Sequence, residues 1–363
     1  MIIEYTFLKI MIGTCLVATV NGMLGCFTLL RQQSLIGDTL AHATLPGICI
    51  FFLLLQQKSF LILLGGVCSA LLGACLFFVI TQYTHLKKDS ALGIILSFFF
   101  GTGTYFLSFI QKLPHAQKAG IHKLLFGNAS TILEHELIVI ALLCCGILFF
   151  ILQWWPELYI STFDKHFSHS LGIHPIKVDI VFLILLAVTI TLSLHLVGIV
   201  LVSSLLVAAP LAARQWTNNL HILMILSVIF SCIASCLGTY ISSIAPHIAT
   251  GPTIVVIISC ITFFSLIFGI QGYLHKFINK RKMMYQIKEH TMLKNFLLFN
   301  ERDTDPLKLH DIKALAAIGK KSTNKILKSL LQKGYICNPS GTMWGLTALG
   351  LKKLQPYGKK ISL

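Results

Sequence analysis

Acidic residues are scarce in this sequence: 13 Asp and Glu among 363 residues, against 29 Lys and Arg. Charged residues of both signs make up 12% of the chain, roughly half the share found in soluble domains. Hydrophobic residues make up 55%, and the mean hydropathy is +0.81. So little polar material cannot cover so much apolar material, which excludes a purely water-soluble fold and requires lipid-facing surface. The 11 cysteines include no CxxC pair, and ten of them lie inside apolar runs. They read as small packing residues rather than a zinc or disulfide framework. A cleavable leader is also missing. The first apolar run, residues 10–30, is long enough to span, carries Asn21 and Gly22 midway and has no small-residue cleavage site, so a retained first helix is expected. Nor is there a GxxxxGK[ST] loop to cradle phosphates. AAIGKKST (residues 316–323) lacks both the upstream glycine and the adjacent GK[ST]. ATP hydrolysis is therefore not expected of this chain.

What is present is a series of apolar runs: 10–30, 43–55, 60–81, 91–110, 137–153, 178–197, 198–213, 222–241 and 253–273. They predict an all-α polytopic membrane protein with about 8–9 transmembrane helices. Two runs are short: 43–55, which can begin earlier within 35–42, and 198–213, which contains Pro210. Interrupted spans are places where backbone lines a pathway. Charge splits the chain. From His275 onward there are 18 Lys and Arg against 5 Asp and Glu, whereas residues 1–274 hold 11 and 8. The expected organisation is a transmembrane domain over 1–274, a basic linker over 275–289 and a further domain over 290–363. Lys/Arg bias places the tail in the cytoplasm. Counting spans back puts Arg31, Lys87, Lys88 and the 163–177 loop on that side too, and Lys112, Lys118 and Lys123 opposite.

Residues 31–47 read RQQSLIGDTLAHATLPG. Asp38 is the sole acid between Glu4 and Asp89, and His42 follows four residues later. At that spacing on a helix, carboxylate and imidazole share one face. One oxygen and one nitrogen donor suit Mn²⁺, Fe²⁺ or Zn²⁺ better than Mg²⁺ or Ca²⁺. An acid beside a span is costly and points to function. The same residues also fit a plainer arrangement, with Asp38 capping the second span and His42 bonding to it. Both readings stand on the chemistry alone. The loop 164–175, DKHFSHSLGIHP, is amphipathic, with Phe163, Phe167 and Leu171 at helical spacing and Gly172 as a stop. It suits an interfacial connector or a helix that docks into a partner's groove.

Residues 7–272 resemble the membrane-spanning permease subunits of ATP-binding-cassette importers for zinc, manganese and iron. GDTLAHATLPG resembles that family's signature after the first helix, LLFGNAS (124–130) its LFG loop and FDKHFSHSLGI its coupling helix. VGIVLVSSLLVAAPLAAR (197–214) resembles a small-residue motif. ATGPTIVV (249–256) resembles the entry to the last span, with Ala249 where proline is usual. The resemblance implies a transported divalent transition metal and no permanently bound cofactor. It implies ATPase subunits docked on Phe163, Asp164, Phe167, Leu171 and Gly172, an extracytoplasmic metal-binding protein and a second permease subunit. Asp38 and His42 become metal ligands, in a bacterial inner membrane. Chelate-moving relatives lack such a pair. His115, His122, His195 and His247 receive no role.

The tail, 290–363, reads as a small winged helix-turn-helix. Helices are expected over 292–300, 309–316 and 322–332, a turn over 317–319, wing strands over 335–337 and 344–347, and a closing helix over 348–354. Ile326, Leu330 and Leu331 are expected inside, leaving Lys320, Lys321, Thr323, Asn324, Lys325 and Lys328 outside for DNA phosphates. The tail resembles the DNA-binding part of iron-dependent repressors. This raises a second function, a membrane-tethered or proteolytically released metal-linked transcription regulator. Protein contact or proximity to anionic lipid would use the same basic surface.

Overall fold

The computed structural model describes every residue except 1, 56–58, 113–133, 245–248, 301–309, 312–322, 340–342 and 355–363. It divides into two compact units, Met1–Tyr273 and Leu274–Leu363.

In lipid, a backbone must satisfy its own amides, so the apolar runs of the first unit become helices. In order these are α1 (Ile2–Leu30), α2 (Ile36–Leu55), α3 (Ser59–Tyr83), α4 (Lys88–Gln111), α5 (Glu134–Gln153), α6 (Trp155–Phe163), α7 (Lys165–Ser170), α8 (Pro175–Val197), α9 (Ile199–Arg214), α10 (Leu220–Ile244) and α11 (Thr250–Phe268). Among the described residues seven helical runs are long and apolar enough to cross a membrane: α1, α2, α3, α4, α8, α10 and the run beginning at α11. An eighth span results if α5 and α6, bent by 65°, are counted as one. Pro156, in the first turn of α6, restarts the helix at that bend. The 8–9 spans expected therefore reduce to 7–8. The run 198–213 is α9, whose 16 residues reach only about 24 Å, short of a hydrocarbon core of about 30 Å.

α2 begins at Ile36, so Asp38 and His42 lie inside it. It packs against α3, α4, α8 and α9. Small residues make the α2–α3 contact. A Cβ on Gly47 would strike the Gly65 carbonyl, and the Ser69 hydroxyl donates to the Ala43 carbonyl at 2.6 Å. Pro46 has no N–H to offer the His42 carbonyl one turn back. The core around α1, α8 and α9 is built by Leu24, Phe27, Leu186, Ile190 and Leu206, all fully buried.

Contacts sort the turns between helices. The Lys88 ammonium donates to the Arg31 carbonyl at 3.0 Å, and the Arg31 guanidinium reaches Asp179 at 2.8 Å. The His221 ring lies 5.0 Å from Trp155, and the Gln271 N–H donates to the Gln215 carbonyl at 2.8 Å. The turns after α1, α3, α6, α9 and α11 thus share one end of the bundle. An ion pair between Lys9 and Glu134 at 2.7 Å lies at the other end.

The second unit contains α12 (Tyr273–Asn300, which starts at the boundary), β1 (His310–Asp311), α13 (Thr323–Gln332), β2 (Ile336–Cys337), β3 (Met343–Leu346) and α14 (Ala348–Leu354). The strands form an antiparallel sheet in the order β1-β3-β2, with His310 opposite Trp344 and Ile336 opposite Leu346. Met292, Leu293, Phe296, Ile326, Leu327, Leu330, Trp344 and Leu346 form its core. The buried Glu289 carboxylate accepts from the Lys333 ammonium at 2.7 and 2.8 Å and from the Ser329 hydroxyl at 2.7 Å.

Three sequence expectations for this region change. Residues 275–289, read as a linker, are the first half of α12, continuous with the helix expected over 292–300. His310 and Asp311 pair in a strand instead of opening a helix over 309–316. Leu327 is buried while Leu331 is 40% exposed, because the inward face of α13 runs through 326, 327 and 330. The rest of the 309–316 helix, and the turn at 317–319, lie outside the described residues.

Candidate functional site

Asp38 and His42 stand one turn apart on α2, each half-buried. Asp38 sits in the first turn, where its charge complements the helix N-terminus. It lies inside the helix and not at its cap. Its carboxylate has no hydrogen bond among the described residues, which removes the plainer capping arrangement. The His42 imidazole meets Phe100 of α4 edge-on, with ring centroids 4.9 Å apart. Its Nδ1 is buried and without a hydrogen-bond partner. The charge of Asp38 acts on the ring. Buried polar atoms are ordinarily paired, so the unpaired imidazole nitrogen and the carboxylate one turn away are two unsatisfied donors on one helix face. No third His, Cys, Asp or Glu joins the pair among the described residues. Two donors fall short of the four that a tetrahedral metal takes, so further donors must come from outside this constellation.

The loop beyond α6 is built around Asp164. Its backbone leaves the helical region (φ −146°, ψ 104°), and its Oδ1 accepts the N–H groups of His166 at 2.9 Å and Phe167 at 3.0 Å. Asp164 therefore ends α6 and caps α7. Phe163 closes one helix, Phe167 lies on the next and Leu171 follows it, so the three do not share the single helix that their spacing predicted. They are nonetheless exposed together, at 57%, 53% and 54%. Gly172 stops the segment as expected, in the left-handed conformation at φ +81°.

Sequence reasoning missed a third cluster at the same end. Asp179, in the first turns of α8, accepts from Arg31 Nη1 at 2.8 Å and from Lys165 Nζ at 2.6 Å. Arg31 Nε donates to Thr162 Oγ1 at 3.1 Å, and the guanidinium lies 4.3 Å above the Phe182 ring. Burial pushes the Arg31 guanidinium below its usual pKa, and the Asp179 charge opposes that. The available signal was an acid at the start of an apolar run with two cations on the facing loops.

Thr323, Asn324, Lys325 and Lys328 lie on α13, and Lys328 is exposed. Lys320, Lys321 and the 124–130 motif lie outside the described residues.

Comparison with known proteins extends this picture. The zinc transport system membrane protein TroC of Treponema pallidum is 37% identical over 282 residues, 77% of this chain and 95% of that protein. The manganese transport system membrane protein MntC of Bacillus subtilis is 30% identical over 346 residues, 95% of this chain and 80% of that protein. That match reaches beyond the first unit into the second. Among solved structures, PsaBC from Streptococcus pneumoniae in complex with Fab superposes with a TM-score of 0.64 at 26% identity, covering 74% of this chain and 93% of that one. An inward-facing putative metal-chelate type ABC transporter, at 12% identity and a TM-score of 0.56, shares the fold. Residues 4–269 match the ABC 3 transport family as a whole, and the chain, with its apolar helices and its unpaired Asp38 and His42, belongs to that family.

Proposed function

We propose that this chain is the permease subunit of an ATP-binding-cassette importer that carries a divalent transition metal, zinc or manganese, into the cytoplasm. The observation that carries the reading is the Asp38–His42 pair: two metal-competent donors, half-buried on a central helix and left without hydrogen-bond partners. Zinc and manganese are the metals named for its relatives, and iron is the third that the donor set admits. A second permease subunit, or water, would complete the coordination. An extracytoplasmic metal-binding protein would deliver the ion, and ATPase subunits would dock on the exposed Phe163, Phe167 and Leu171. Arg31, Lys87, Lys88, Lys165 and Lys177 gather near one end of the bundle, which by the positive-inside rule faces the cytoplasm of a bacterial inner membrane. The test is uptake of each metal by the complex reconstituted with its ATPase and binding protein. Asp38→Ala and His42→Ala should each abolish uptake while preserving membrane insertion and ATPase binding. Wild-type uptake by both would remove the ligand assignment.

A second reading concerns the tail. The antiparallel β2–β3 pair directly behind α13, with β1 on the far edge of β3, suits a winged helix that contacts DNA through α13. The full chain in nanodiscs would then retain duplex DNA at low salt and release it steeply as salt rises. Absence of retention at low salt would exclude it.

A further inference from the structure

We infer that Asp179 is the mechanical joint that transmits movement of the ATPase-docking segment to the metal-carrying helix. Its two carboxylate oxygens divide between two parts of the bundle. Oδ2 holds Lys165, the first residue of α7, at 2.6 Å. Oδ1 holds Arg31, in the turn from which α2 departs, at 2.8 Å. Arg31 ties back to Thr162, at the end of α6, at 3.1 Å. Only four residues separate Arg31 from Ile36, where α2 begins, and Asp38 is in its first turn. A displacement of α7 pulls on Lys165, then on Asp179 and Arg31, and so on the base of α2.

The environments of the partners fit a joint better than a simple structural clamp. The Arg31 side chain is 7% exposed and that of Asp179 18%, whereas Lys165 is 54% exposed. The inner pair is therefore strong and fixed, while the outer bond is solvated and easily remade. The same carboxylate borders a cleft of ≈ 170 Å³ lined by Gln33, Phe78, Lys88, Lys165 and Leu183, which leaves the outer Lys165 bond room to move. Lys88 adds a third element by donating to the Arg31 carbonyl at 3.0 Å, which links the start of α4 to the same turn. α4 also supplies Phe100 against His42. Two routes thus lead from this turn to the metal pair, one along α2 and one along α4.

The inference rests on the reading of residues 163–172 as the ATPase dock, and the experiment separates the two. The complex is reconstituted with its ATPase and binding-protein partners. Three quantities are read: ATPase retained on the permease, ATP hydrolysed, and metal moved per ATP. Phe167→Glu should lose the ATPase; if it does not, the docking assignment fails, whatever Asp179 does. Asp179→Asn should keep the ATPase bound and hydrolysing but lower metal moved per ATP by about tenfold. Asp179→Glu should recover much of that loss. Lys165→Met retains the apolar stem of a half-exposed residue and folds even if Asp179→Asn does not. It should lower the same ratio by about threefold. Wild-type metal per ATP in Lys165→Met overturns the joint. So does a loss in Asp179→Asn that only parallels a loss of bound ATPase.

Discussion

Two polar clusters lie within a dozen residues of each other at the head of α2, and they are built in opposite ways. Around Arg31 the charged groups are joined: Asp179, Thr162, Lys165 and Lys88 bond through 2.6–3.1 Å contacts and a ring covers the guanidinium, although its buried Nη2 has no hydrogen-bond partner. Around His42 the donors are unpaired, with a buried Nδ1 that meets nothing and a carboxylate that accepts nothing among the described residues. Low-dielectric surroundings make an unpaired polar group expensive, so the joined charges suit a structural role and the unbonded carboxylate and imidazole suit the ligand site proposed for them. The proposed joint is thus the bonded cluster and the proposed site the one whose carboxylate and imidazole make no hydrogen bond among the described residues.

The sharpest way to break that comparison is to remove members of each cluster and read transport and stability separately. Asp38→Ala or His42→Ala should reduce metal uptake by about 100-fold or more, since even outer-sphere changes at metal sites cost 10–100-fold. The same substitutions leave no partner orphaned, so unfolding of the purified protein in detergent should shift by less than about 1 kcal/mol. Arg31→Ala is expected to do the reverse to stability. It strips a buried cation from Asp179 and should destabilise the first unit by about 3–5 kcal/mol. If Asp38→Ala destabilised as strongly as Arg31→Ala, the unpaired cluster would be structural after all.

A packing change ranks next. Gly47 lies against the Gly65 carbonyl in the α2–α3 contact, about one turn beyond His42 of the proposed metal site. Gly47→Val must push these helices apart and should cost about 1–3 kcal/mol, by the general cost of overpacking a tight contact. Because the displaced segment belongs to α2, metal affinity measured by isothermal titration should fall as well. Unchanged affinity would mean that the pair tolerates displacement of its own helix.

Much of this architecture was legible in the order of residues, and the exceptions have physical causes. Apolar runs announced the helices because lipid leaves a spanning chain few options. They also marked 198–213 as a short run containing Pro210, and α9 does stop short of a full span. Asp38 and His42 were visible because a lone acid in an apolar stretch is conspicuous and i,i+4 spacing has one meaning on a helix. Asp179 was overlooked inside its own run: its partners Arg31 and Lys165 are 148 and 14 residues away, and spacing says nothing about such distances. The break at Asp164 escaped for a related reason. Phe163, Phe167 and Leu171 keep helical spacing across a residue whose side chain caps a new helix. In the tail, basic composition suggested a linker over 275–289, but charged residues such as Lys and Arg are good helix formers and extend α12 through it.

The smallest effect expected comes from an ion pair of similar length at the opposite end of the bundle. Lys9 and Glu134 approach to 2.7 Å, much as Arg31 and Asp179 do, yet the Glu134 side chain is 67% exposed against 18% for Asp179. Water screens the exposed pair and leaves it little net worth, whereas the inner pair has lost its solvent and depends on its partner. Glu134→Gln should therefore alter stability by less than about 1 kcal/mol and leave metal moved per ATP unchanged. Equal penalties for Glu134→Gln and Arg31→Ala would show that distance, and not burial, governs these pairs. The joint at Asp179 would then lose the strength and fixity argued for its inner half.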